Sequence, residues 1–218
     1  MFDEIKDDKY VKGIFKKISE IEVKDVYWVD HGLCHANNVV HIVENILTHL
    51  KYNNNFIEQS KIAALLHDIG NIYGRDNHAY NSFTLAKEYF IRNNIDTGDN
   101  HLVLEAIRYH SNGISGNNIA SILVLADKLD IKKDRLRTEG LKIEGLKEIR
   151  FIDDIIIDVL NNTFRVNFLF NEKVNRKSLE TFYFTTKVFN AINNFAKELH
   201  LEPLIMDNNS EWRLKNNS

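Results

Sequence analysis

The chain has 218 residues, in which 28 Lys+Arg nearly balance 31 Asp+Glu for a net charge of -3, and 44% of the residues are hydrophobic. That is enough for one sizeable domain, or one domain with a small appendage, and it offers no excess of basic charge for gripping a nucleic-acid polymer. Cys34 is the only cysteine, no apolar run approaches the roughly 18 residues needed to cross a membrane, and MFDEIKDDKY has no signal-peptide core. The expectation is a cytoplasmic globular protein without disulfides or a membrane span.

Helical periodicity dominates the first two-thirds. Val11, Ile14, Phe15 and Ile18 follow i, i+3, i+4, i+7 spacing, and Val39, Ile42, Val43, Ile46 and Leu50 repeat it one turn after His35. Ile62, Leu65, Leu66 and Ile69 form a third stripe, ended by His67-Asp68 where Gly70 is expected to stop the helix. A fourth helix runs through Phe83, Ala86 and Phe90. Val103, Ala106, Ile107 and His110 mark a fifth. Ile119, Ile122, Leu123 and Ala126 mark a sixth, with Asp127 on its edge. Several helices joined by short polar loops such as Asn53-Asn54-Asn55 predict a mainly α bundle over residues 1–150.

Near residue 150 the pattern changes. Ile155, Ile156 and Ile157 open a β-branched run, Asn161-Asn162 is suited to a two-residue turn, and Phe164, Val166, Phe168 and Phe170 alternate with polar residues. A long amphipathic helix follows through Leu179, Phe182, Phe189, Ile192 and Leu199, then a short strand at Leu204–Met206. This predicts a small α+β (β-β-α-β) appendage over 151–207 and a tail over 208–218. The phenylalanine alternation reads as core, because no basic surface accompanies it as a base-stacking platform would require.

Four helices thus bring a metal-ligand residue to an apolar stripe: His35, the His67-Asp68 pair, His110 and Asp127. A polar or charged side chain facing a core needs a partner, and one metal site accounts for several at once. Mixed imidazole and carboxylate donors without thiolates suit Mn, Fe, Co, Ni or Zn, with Mg also compatible, and argue against a structural zinc site. His31 lies one turn before His35 and competes with it as the ligand. His41 is out of phase with its stripe and is expected to be exposed, while His49, His101 and His200 have no supporting context.

The stretches HANNVV at His35, AALLHDIGN at His67-Asp68 and LVLADKLD at Asp127 resemble the HD superfamily of metal-dependent phosphohydrolases over roughly residues 25 to 140. The family pattern has a valine four residues after its first histidine, as Val39 follows His35, which favours His35 as the ligand and leaves His31 as a pocket residue. NHAYNS at His78 and EAIRYHSNG at His110 look like the two extra histidines of the branches that hold two metals. There the resemblance implies that Asp68 bridges the ions, with His35, His67 and Asp127 on one and His78 and His110 on the other. His78 follows the pair after only ten residues, a shorter gap than that branch leads one to expect. The run is similar to that of the branch cleaving diadenosine polyphosphates, and it lacks the Gly-Tyr-Pro signature of cyclic-dinucleotide phosphodiesterases.

The activity this resemblance implies is hydrolysis of a phosphate ester or anhydride of a small molecule, with a nucleotide as leading substrate, by metal-activated hydroxide at one or two ions. Asp68 is the catalytic candidate, holding the metal and orienting the nucleophile. Positive charge for the phosphate oxygens is assigned to Arg75, Lys128 and Arg135, with His31 beside them. Lys132, Lys133, Arg135 and Arg137, interleaved with Asp130, Asp134 and Glu139, read together as a solvated helix face, with Arg135 alone kept as a phosphate candidate. Two other classes remain: a metal-containing nucleotide-sensing module without turnover, and an assembly scaffold whose core polar groups bond one another. The apolar strand face of the appendage suggests either a homodimer contact or a cover over the pocket.

Overall fold

The computed structural model describes residues 1–111 and 117–214, so Ser111 is the last described residue of the SNG that follows His110, and residues 215–218 of the expected tail lie outside it. The described chain is mainly α, with a small four-stranded sheet near its C-terminus. It divides into two compact units, residues 1–26 with 30–127, and residues 27–29 with 128 onwards.

The first unit contains α1 (Phe2–Asp7), α2 (Lys9–Lys24), α3 (Leu33–His49), α4 (Asn54–Leu66), a 3-10 turn over Ile69–Tyr73, α5 (His78–Arg92), α6 (Asn100–Tyr109) and α7 (Asn118–Leu129) as far as Asp127. The short helix α1 was not foreseen in the charged N-terminal stretch. Its Phe2 and Ile5 are buried, and Asp8 then starts α2 by accepting from the N–H groups of Tyr10 and Val11. The expected stripe of α2 is buried throughout, and it runs one step further, to Glu22.

Helix α4 sets the geometry of the centre. Asn53 caps it, and Ile62, Ala63, Ala64, Leu65 and Leu66 are all fully buried, so its last turn has no solvent face. Helices α1, α3 and α6 pack against it. The residues that follow, His67 and Asp68, are therefore buried as well. On α5 the buried face comprises Ala79, Ser82, Leu85, Ala86, Tyr89 and Phe90, whereas Phe83 is half-buried under the Arg108 guanidinium. His41 is exposed, as its phase predicts.

Gly70 does not stop α4 by a left-handed cap. It sits inside the 3-10 turn without a positive φ, and the reversal to φ +92° comes at Gly74. What Gly70 provides is room: a Cβ there would lie 2.2 Å from the His78 carbonyl oxygen and 2.4 Å from the Ser82 nitrogen. The first turn of α5 can approach the His67-Asp68 segment only because that atom is missing.

In the second unit, β1 (Ile152–Leu160) and β2 (Thr163–Phe170) form an antiparallel hairpin. Its turn residues Asn161 and Asn162 have φ of 50° and 63°, the left-handed pair a two-residue hairpin needs. Phe164, Val166, Phe168 and Phe170 are buried, as their alternation predicts. The long helix breaks in two, α8 (Arg176–Thr181) and α9 (Tyr183–Glu198), at an extended Phe182 whose Cβ would be 2.5 Å from any Cβ on Gly145. Strand β3 (Glu202–Asp207) returns parallel to β2, and β4 (Ser210–Glu211) pairs antiparallel with β3. The turn into β4 uses Asn208-Asn209 with φ of 47° and 68°, and Trp212 beyond it is buried against Phe168, Phe170 and Phe189.

Beyond the last two residues of α7, residues 130–150 of this second unit form loops and 3-10 turns, not a continued helix. The solvated helix face read over Lys132–Arg137 is absent: Arg135 is buried, with Nη1 3.4 Å from the Asp130 carboxylate. A guanidinium can be buried there because a carboxylate goes in with it.

Candidate metal centre

Asp68 gathers four imidazoles. Its Oδ2 lies 3.6 Å from His35 Nε2 and 3.4 Å from His67 Nε2, and its Oδ1 lies 3.5 Å from His110 Nε2 and 3.7 Å from His78 Nε2. His35 Nε2 is also 3.4 Å from Asp127 Oδ1 and 3.2 Å from His67 Nε2. All six positions proposed from sequence as ligands thus meet in the first unit, His78 included despite its short spacing.

Local structure aims each ring. His67 and His110 sit at the C-terminal ends of α4 and α6, where Nδ1 lies 2.8 Å from the Ala64 carbonyl and 2.7 Å from the Ile107 carbonyl. His78 opens α5 with Nδ1 3.0 Å from the Arg75 carbonyl. A carbonyl can only accept, so Nδ1 must carry the proton and Nε2 presents a lone pair to the centre. His35 is placed by the start of α3, where the Asp30 carboxylate accepts from the Gly32 and His35 N–H groups.

Among the described residues, two sets of three have donor atoms within 4.8 Å of one another: His35, His67 and Asp127, and His67, Asp68 and His110. Lone pairs from neutral imidazoles facing one another and a shared carboxylate fit a divalent cation. The Nε2 atoms of His35 and His67 face each other at 3.2 Å, close enough to share one cation when both present lone pairs. Burial opposes charge on the Asp68 carboxyl, but His67, His110 and His31 outweigh it and hold the group well below the usual carboxylate range. Burial pushes His67 down to about 4 against the pull of Asp68, and lowers His78 as well.

His31, the rival to His35, does something else. Its Nδ1 donates to Glu22 Oε1 at 2.5 Å, its Nε2 accepts from Arg75 Nη1 at 2.5 Å, and its ring stands edge-on to His35 with centroids 6.0 Å apart. Burial lowers its pKa to about 3, opposed by Asp68 and helped by Arg75. Arg75 is therefore beside the centre. Lys128 and Arg135 belong to the second unit, Lys128 half-buried near the end of α7 and Arg135 paired with Asp130. Sequence reasoning missed Glu22. The signal was present, since Glu22 lies four residues after Ile18 on the α2 stripe.

The two buried imidazoles give the metal-free protein a pH-dependent stability. The unfolded chain protonates them near the ordinary histidine value of 6.5, whereas in the fold they stay neutral down to about 3 and 4. Between those limits the unfolded state binds more protons, so stability falls as pH falls. From pH 7 to pH 5 the expected loss is on the order of 2 kcal/mol per histidine. Urea midpoints of chelator-treated protein measure it, and a flat profile would mean these rings are not neutral and buried.

The first unit is a helical scaffold around a buried histidine–aspartate centre able to hold divalent metal. Residues 32–132 match the family model of the HD domain, which supports an HD-superfamily protein of the metal-dependent phosphohydrolase class. The chain is also 30% identical over 161 residues, 63% of its length, to an uncharacterized protein of Methanocaldococcus jannaschii, of which the matched stretch covers 61%. Among the described residues, no helix is long and apolar enough to cross a membrane.

Proposed function

We propose that the chain is a phosphohydrolase that cleaves a phosphate ester or anhydride of a small molecule, with a nucleotide as leading substrate, at a centre holding two first-row divalent ions. The observation that carries this reading is the division of labour at Asp68: two histidines face Oδ2 and two face Oδ1. A carboxylate so placed can bridge. His35, His67 and Asp127 would hold one ion, His78 and His110 the other, with Mn, Fe, Co, Ni or Zn compatible with the donor set. When bound, such ions supply Lewis acidity and an activated water for attack on phosphorus.

The chain's own residues do the rest. Carbonyls on α4, α6 and the Arg75 loop keep the rings in one tautomer, which spares the site the cost of reorganising when it is loaded. Burial at the end of α4 keeps water away from Asp68 and strengthens its interactions. Arg75 supplies positive charge for phosphate oxygens.

Elemental analysis is the test, with His78→Ala beside the wild type. Two equivalents of metal are expected in the wild type. About one is expected in the variant, because His78 is the least buried of the four histidines and stands on the Oδ1 side alone with His110. A wild type that takes up no manganese, iron, cobalt, nickel or zinc overturns the proposal. A loaded wild type should then release phosphate from some member of a phosphate-ester and nucleotide panel.

A further inference from the structure

The Glu22–His31–Arg75 chain has no place among the metal-holding residues, yet it is a buried polar feature of the first unit that runs up to them. Glu22 on α2 is 1% exposed, and His31 is 5% exposed. Glu22 accepts from both the ring Nδ1 of His31, at 2.5 Å, and its backbone N–H, at 3.0 Å. The imidazole is thus locked in position and in tautomer, with the Nε2 lone pair facing outward. That lone pair accepts from Arg75 Nη1. Arg75 lies at the exposed rim, and its own carbonyl fixes His78.

We infer that Glu22 is a positioning residue for a phosphate grip: through His31 it sets the Arg75 guanidinium where it meets an oxygen of a phosphate group at the metal centre. The inference rests on the phosphohydrolase reading above. A guanidinium is a planar fork of five donors, and anchoring it through one of them pre-orders the fork for two-pronged contact with phosphate. Without Glu22 the ring is free to flip or to move its proton to Nε2. An Nε2–H facing an Arg75 N–H sets donor against donor, and the guanidinium loses its seat.

Calorimetric titration of inorganic phosphate into metal-loaded protein tests this without relying on turnover. Arg75→Ala and Glu22→Ala should each weaken phosphate binding about tenfold, the scale on which supporting residues act, with metal content unchanged. The double variant should be no weaker than Arg75→Ala alone, and Glu22→Gln, whose amide oxygen can still accept from Nδ1–H, should recover most of the loss. Because Glu22 is buried, Glu22→Asp serves if the alanine variant does not fold: it keeps the charge but shortens the reach, and should also weaken binding. Wild-type affinity in Arg75→Ala, or in whichever of Glu22→Ala and Glu22→Asp folds, overturns the inference, as do effects of Glu22→Ala and Arg75→Ala that multiply. A loaded wild type that binds no phosphate overturns it as well, whereas a wild type that takes up no metal removes the underlying reading of the site.

Discussion

Asp68→Ala is expected to fold, to bind less than one equivalent of metal, and to lose the proposed phosphohydrolase activity by at least about 1,000-fold, or about 4 kcal/mol of transition-state stabilisation. The size follows from position. Asp68 is the one carboxylate that all four histidines approach, between 3.4 and 3.7 Å, so its removal takes a ligand from each half of the centre at once. Asp127 stands on the other side of the centre, in the donor set with His35 and His67 and 3.4 Å from His35 Nε2. Folding should survive, since the helices around Asp68 close through their own apolar faces: the last five residues of α4 are fully buried without its help. Metal content, initial rates on the best substrate and a urea midpoint decide the matter together. A variant that unfolds while the wild type proves metal-free would instead support a scaffold whose polar core is bonded internally.

Gly70→Ala should be the most damaging small substitution for stability in the first unit, at about 3–5 kcal/mol. The added methyl meets backbone, the His78 oxygen at 2.2 Å and the Ser82 nitrogen at 2.4 Å, and neither can swing aside as a side-chain end would. Helix α5 must back away. That breaks the bond from the Gly70 N–H to Ser82 Oγ, now 2.8 Å, and withdraws His78 from Asp68. Metal stoichiometry should therefore fall along with the urea midpoint. Gly13→Ala is the contrast: Gly13 is exposed on α2 with nothing within 4 Å of the new atom, so a gain of about 0.5–1 kcal/mol is expected. Equal, small effects at both glycines would mean the close approach at Gly70 is not what holds α5.

Much of the fold was legible because it depends on period. The α2 stripe, the buried α4, the Asn161-Asn162 hairpin and the Phe164–Phe170 alternation each follow from which residues must leave water, and neighbours along the chain decide that. The same logic found the centre, since a histidine or aspartate on an apolar stripe is a polar group that burial forces to find a partner. Applied one step further it would have found Glu22, and the Asn-Asn turn that opened the first hairpin would have found β4 where a tail was expected.

Period says that a side chain is buried, but not what it meets. His31 and His35 lie one turn apart, and only the packing of α2 against this segment gave Glu22 to one and Asp68 to the other. Gly70 looked like a helix stop; its real constraint is an atom-scale approach from α5, which begins eight residues later. Arg135 was grouped with Arg75 by sequence proximity to proposed ligands, yet its buried partner is Asp130 and that of Arg75 is His31. The sequence by itself determined which residues could not remain in water, because hydrophobic burial follows local pattern. Which of them became partners was decided only by tertiary structure, because hydrogen bonds and metal coordination act over about 2–4 Å and depend on where distant helices come to rest.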